Sequence, residues 1–222
     1  LGTLLAVMIY FRKTILDLFT SLFHWKNPID HPQHRYNRLL ILYLGIATLM
    51  TGLFYMLFQD GLDALFANMK PGLVAVMLII TGSLLYISDL MRGNGIPANN
   101  MGWVRSVIIG LAQGIAIIPG ISRSGTTIAV SLFTGIKRKD AAQFSFLLSI
   151  PAILGANVSV FKELSSLKAS QFFVYLAGFL AAAVSGYAVI SILIGLIRRN
   201  KLKYFAYYCW ALAVTVFIIL VI

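Results

Sequence analysis

Between Pro119 and Thr127 the sequence reads Pro-Gly-Ile-Ser-Arg-Ser-Gly-Thr-Thr, and this stretch limits what the surrounding chain can build. Apolar residues run up to it over 104–118 and away from it over 128–136. A bilayer crossing takes about 20 apolar residues, so neither flank crosses alone. Pro119 and Gly120 break the helix between them. Arg123 is the one cationic side chain between Arg105 and Lys137, and no Asp or Glu lies between Asp89 and Asp140. These facts predict a re-entrant helical hairpin over about 103–136, with a hydroxyl-rich turn around one Arg at its tip. Non-helical backbone at membrane depth survives only where protein buries it or water reaches it. An intramembrane Arg marks a functional site, and its partner is a carboxylate elsewhere or an anionic ligand.

The rest of the composition agrees with a membrane setting. Of the 222 residues, 59% are hydrophobic and only 11% charged, with a mean hydropathy of +0.88. Soluble domains carry about 25% charged residues. The expected fold is therefore an all-α integral membrane protein, a polytopic helical bundle forming one transmembrane domain over 1–222. Leu1 already lies in an apolar run, so the natural N-terminus is expected to precede it. The single cysteine, Cys209, reads as a packed or lipid-facing thiol. The net charge of +11 does not imply nucleic acid, because the cations fall in the loops.

Taken in order, 1–11 reads as the end of a span that continues as an interfacial helix to residue 23. Further spans are expected at 36–58, 72–91, 141–161 (kinked at Pro151), 172–197 and 204–222, with 59–70 as a loop. If the hairpin enters and leaves on one side, the loops 12–38, 92–105, 137–139 and 198–203 share a face. They hold fourteen Lys or Arg against three in the opposite loops. That asymmetry supports the hairpin and makes the basic face cytoplasmic.

The motif carries the chemistry of a phosphate or diphosphate cradle. Arg123 offers a planar fork of donors that matches phosphate oxygens. Ser122, Ser124, Thr126 and Thr127 add hydroxyls, while Gly120 and Gly125 allow close backbone approach. A helix starting near Ser124 points its N-terminus at the same spot. The plainer alternative is that the hydroxyls cap helices and Arg123 neutralises a buried carboxylate.

This run is similar to the Pro-Gly-x-Ser-Arg-Ser-x-x-Thr signature of the undecaprenyl-diphosphate phosphatase (bacitracin-resistance) family. The flanks Gly110-Leu-Ala-Gln-Gly and Phe144-Ser-Phe-Leu-Leu-Ser-Ile-Pro-Ala-Ile-Leu-Gly-Ala agree as well. The resemblance implies inverted repeats and an enzyme that removes the terminal phosphate of undecaprenyl diphosphate for peptidoglycan lipid-carrier recycling. It places Arg123, Ser122, Ser124 and Thr127 in the catalytic site, with Gly120, Gly125, Thr126 and Gln113 binding substrate. It also implies a divalent cation, Mg²⁺ or Ca²⁺, a location in the bacterial inner membrane, and a site open to the outer side. The family's second motif, an acidic pair followed by a Pro-Val-Ser-Ser-Ser-Gly-His-like run, has no match in this sequence. No metal ligand is therefore assigned here, and the chain as it stands is expected to be inactive while the full-length protein is active.

Other residues have blander readings. His24, His31 and His34 sit in a polar loop, with Pro32 between the last two. Asp89 reads as a solvated carboxylate at a helix end. Gln113 either contacts substrate or packs, and Asn157 and Ser145 bond between helices. Trp103, Tyr204, Tyr207, Tyr208 and Trp210 read as interface belts. The small residues Ala181, Ala182, Ala183 and Gly186 suit close helix packing and permit a homodimer. A transporter or flippase for a phosphorylated lipid or anion is the rival reading, because broken helices with a midplane site are also transporter architecture. A purely structural subunit leaves Arg123 unexplained.

Overall fold

The fold was analysed in a computed structural model that describes residues 1–23, 32–91, 95–157 and 169–221. Among these residues the regular structure is helical: α1 (Gly2–Tyr10), α2 (Arg12–Phe23), α3 (Pro32–Ala67), α4 (Pro71–Asp89), α5 (Gly102–Ile115), α6 (Arg123–Phe133), α7 (Arg138–Ala156), α8 (Ala169–Arg198) and α9 (Lys203–Val221). Four of them, α3, α4, α8 and α9, are long and apolar enough to cross a membrane. Large apolar side chains such as Leu49, Met56, Phe173 and Val184 stand about 70% exposed, an arrangement that lipid satisfies and water does not. This is an all-α integral membrane protein.

Two elements differ from expectation. The segment 59–70 is not a loop, because α3 runs on to Ala67 and only three residues separate it from α4. Its 36 residues make about 54 Å of helix at 1.5 Å per residue, more than a hydrocarbon core of about 30 Å. The sequence there offers Leu, Ala, Asp and Phe with Gly61 as the single weak point, and one Gly does not stop a helix. Pro71 then opens α4 at its first turn, where a missing N–H costs nothing.

The second difference is α7. It is helical as expected, with Pro151 inside it, but it falls outside the four membrane-length apolar helices. Arg138, Lys139 and Asp140 in its first turn and Gln143, Ser145 and Ser149 further on lower its hydropathy. Its burial explains why this is tolerated: Ala141, Phe144, Leu147, Leu148 and Ser145 are all enclosed by protein. A helix surrounded by its own chain can carry hydroxyls that a lipid-facing helix cannot, provided each finds a partner. Phe144 and Leu148 join Ile109 of α5 and Ile128 of α6 in the buried core.

Small residues set the close contacts. On α1, Gly2 lies against the Phe179 carbonyl and Ala182 of α8, and Gly186 of α8 faces Ala6 and Thr3. The Ala181–Gly186 face is thus used within the chain. Gly110 of α5 meets the Ala47 backbone of α3, and a Cβ on Gly114 would come within 2.6 Å of the Phe54 ring. On the other flank, α4 and α9 lock through Gly82, where a Cβ would stand 2.6 Å from the Trp210 indole nitrogen. That indole donates to the Ile79 carbonyl at 3.3 Å, so Trp210 joins two helices rather than an interface belt. Tyr204, Tyr207, Tyr208 and Trp103 are exposed as a belt requires.

Candidate active site at the hairpin tip

The chain between Ile96 and Lys137 forms the predicted helical hairpin, closed at its base. Ile96 N–H donates to the Gly135 carbonyl at 2.8 Å and Lys137 N–H to the Ile96 carbonyl at 2.9 Å. Arg105 Nε donates to the Thr134 carbonyl at 2.8 Å, so the start of α5 sits beside the end of α6. At 14 and 11 residues, the two arms reach only about 21 and 17 Å at 1.5 Å per residue. The entry and the exit therefore lie at one level, and the tip lies partway along α4.

The depth of the tip is set by α4. Thr81, halfway along that helix and buried, donates its hydroxyl to the Gly120 carbonyl at 3.0 Å and accepts from Ser122 N–H at 3.1 Å. Gly120 has φ +90°, and a Cβ there would lie 2.7 Å from the Val74 carbonyl and 2.8 Å from Met77 Cβ. Both the backbone conformation and the contact with α4 require glycine. Gly120 acts by letting the turn press against α4.

Ser122 caps α6. Its backbone is extended, and its Oγ accepts from Gly125 N–H at 3.1 Å. This is a serine N-cap, which takes up one of the unpaired donors of the first turn. The hydroxyl proton stays available for a further acceptor. Arg123 and Ser124 occupy the first two helical positions, where N–H groups lack carbonyl partners inside the helix. Neither side chain forms a hydrogen bond or ion pair as a donor among the described residues, and both are partly buried. Ser122, Ser124 and Gly125 line a cavity of about 220 Å³ whose other walls are apolar, including Leu85, Val189 and Leu193.

The hydroxyls beyond Ser124 divide into two kinds. Thr127 is fully buried and engaged within the fold. Its Oγ1 lies 2.9 Å from the Arg123 carbonyl, 3.2 Å from the Ser124 carbonyl and 2.5 Å from Ser145 Oγ on α7. It braces the first turn of α6 against α7. Thr126 Oγ1 is buried with no partner among the described residues, and so is Gln113 Oε1. Gln113 Nε2 donates to Thr51 Oγ1 at 3.2 Å across the α3–α5 contact.

A family model described as "Bacitracin resistance protein BacA" matches residues 1–215. The chain belongs to the bacitracin resistance protein BacA family. A protein named "Undecaprenyl-diphosphatase" from Methanobrevibacter smithii is 40% identical over 98% of this chain and 80% of its own length. One of the same name from Syntrophotalea carbinolica is 40% identical over 94% of this chain and 77% of its length. A third, from Methanothermobacter thermautotrophicus, is 46% identical over 77% of this chain and 95% of its own.

Two residues of this BacA-family chain work differently from their sequence reading. Asp89 is not solvated. Its side chain is 7% exposed and pairs with Arg138 at 3.2 Å, while its carboxylate also accepts from Leu202 N–H at 3.0 Å. Arg138 completes the knot by donating to the Asp89 and Met91 carbonyls at 2.8 and 2.7 Å. Ordinary side-chain chemistry gives no sign of this in the sequence, because the partners stand 49 and 113 residues apart. The histidines form no metal centre that the structure describes. His24 and His31 lie outside the described residues, and His34 Nδ1 is bonded to Ser21 Oγ at 3.0 Å between α2 and α3. Ser145 does bond between helices, while Asn157 donates back to Ile153 of its own helix.

Proposed function

We propose that this chain hydrolyses undecaprenyl diphosphate to undecaprenyl phosphate, returning the lipid carrier to peptidoglycan synthesis and thereby conferring bacitracin resistance. The family membership and the shared name of its relatives support the reaction. The observation that carries the site is Arg123, a partly buried cation without a partner among the described residues, at a tip held halfway along a membrane-length helix. Keeping a guanidinium there unpaired is costly, and an anionic ligand removes the cost.

In this reading Arg123 binds the diphosphate and meets the charge that grows on the phosphoryl oxygens as the anhydride opens. Ser122 and Ser124 donate hydroxyl protons to the same oxygens, and the first-turn N–H groups of α6 face them. Overall one P–O bond of the anhydride breaks, and water supplies the oxygen of the released phosphate. Thr126 and Gln113 contribute unpaired buried oxygens. Thr127 supports the reaction by holding α6 on α7.

The tip by itself does not fit a divalent cation. It offers hydroxyls and a guanidinium, and no group of three His, Cys, Asp or Glu that could hold a metal occurs among the described residues. A Mg²⁺ or Ca²⁺ would take its ligands from outside the tip, and the roles given to Arg123, Ser122 and Ser124 do not depend on it. In this reading the protein sits in the cytoplasmic membrane with its basic loops inside, and the site is reached from the outer side. A homodimer would use a face other than Ala181–Gly186, which α1 occupies in part.

The test is phosphate release from undecaprenyl diphosphate by detergent-purified full-length protein, with and without EDTA, beside Arg123→Ala. Release that the variant loses supports the hydrolase. A folded wild-type protein that releases none, but moves phosphorylated lipid across liposomes, would replace it with a flippase.

A further inference from the structure

The Asp89–Arg138 knot brings together two basic segments that the sequence keeps far apart. Arg138 opens α7, directly after the hairpin, and its exposed neighbours are Lys137 and Lys139. Leu202 and Lys203 open α9, and their N–H groups bond to the same Asp89 carboxylate, at 3.0 and 3.4 Å. The turn before them reverses tightly through Asn200, at φ +55°, and exposes Arg198, Arg199, Lys201 and Lys203. Six exposed cations therefore gather at one end of α4. None of their side chains has a hydrogen-bond or ion-pair partner among the described residues.

The two carboxylates bonded into this end do not neutralise the patch. Asp89 is buried and matched by Arg138. Asp140, in the first turn of α7, accepts from Ala98 N–H at 3.3 Å, on the side of the hairpin base. Exposed Tyr204, Tyr207 and Tyr208 in the opening turns of α9 mark the depth as that of lipid headgroups. Loop cations alone are what membrane orientation requires. Clamping two such loops together against their mutual repulsion is not, and an external anion resolves it.

We infer that this surface binds the headgroup of an anionic phospholipid in the adjoining leaflet, with both basic segments contributing. Basic pockets between spanning helices recognise such headgroups, at about 1 kcal/mol per Lys or Arg near the membrane surface. Because the clamp sits at the hairpin base and α4 holds the hairpin tip, the lipid seals the end of the frame on which the site is built.

The experiment follows thermal unfolding of the full protein in neutral detergent micelles, titrated with short-chain phosphatidylglycerol, phosphatidylcholine or inorganic phosphate. Phosphatidylglycerol is expected to raise the midpoint by about 5 °C near saturation, and the other two by much less. Raising NaCl to several hundred millimolar should abolish most of that shift. Lys137→Gln/Lys139→Gln and Arg198→Gln/Arg199→Gln should each remove most of it. Arg12→Gln/Lys13→Gln, on exposed cations in the first turn of α2, should keep it. Equal shifts with both lipids, an equal shift with phosphate, or a full shift in both of the first two variants would overturn the inference.

Discussion

The Thr81 hydroxyl spans a gap in the backbone of the hairpin tip, donating to Gly120 on one side and accepting from Ser122 on the other. One side chain at the middle of α4 thus fixes both the last turn residue and the cap of α6. Arg123 is the next residue along, so its position is set by a group that need not touch substrate.

Thr81→Val keeps the shape and strands a carbonyl and an N–H in a buried place. Each stranded group costs about 1–3 kcal/mol. We expect kcat for phosphate release to fall about tenfold or more, with Thr81→Ser close to wild type. Steady-state kinetics of the three proteins decide it. Equal loss in the Ser variant would mean that the methyl group matters and the hydroxyl does not.

Gly120→Ala adds a Cβ at φ +90° against the Val74 carbonyl. Backbone strain of this kind costs on the order of 1–3 kcal/mol before the clash is counted. The unfolding midpoint should drop by several degrees, and activity should fall with it. An alanine variant that melts like wild type would show that the turn relaxes freely.

Arg123 should separate stability from function. Because it has no partner among the described residues, Arg123→Ala should leave the melting temperature unchanged or raise it. Its kcat/KM should nevertheless fall by about 10²–10³, the scale of a lost transition-state donor. Arg123→Lys keeps charge but loses the fork, and should recover only part of the rate. A large loss of stability in Arg123→Ala would reveal a structural ion pair instead.

Asp89→Asn leaves Arg138 buried without its counter-charge, and removing one member of such a pair costs about 3–5 kcal/mol. The double variant Asp89→Asn/Arg138→Gln should be less damaged than Asp89→Asn. Chemical unfolding of the four proteins in the cycle measures the coupling. Simple additivity would mean that Asp89 acts through the α9 N–H groups alone.

How much of this was legible beforehand differs by residue. The hairpin could be read because its cause is local: apolar runs too short to span, broken by Pro119 and Gly120. The Arg123 site could be read because a lone cation in an apolar interval is itself a signal. Thr127 could be named as part of the motif, but its engagement with Ser145 depends on where α7 comes to rest. The polarity of α7 is compatible with an ordinary span, and only its burial sets it apart.

The sequence by itself determined the membrane setting, the helical class and the place where the chain turns back, since these follow from hydropathy and from backbone limits at single residues. Tertiary structure alone decided that Thr81 sets the depth of the tip, that Gly120 must be small twice over, and that Asp89 is a buried hub. Those facts rest on pairings between segments 39 to 113 residues apart. A hydroxyl or carboxylate has the same chemistry whether it faces water or a partner, and only packing chooses between the two.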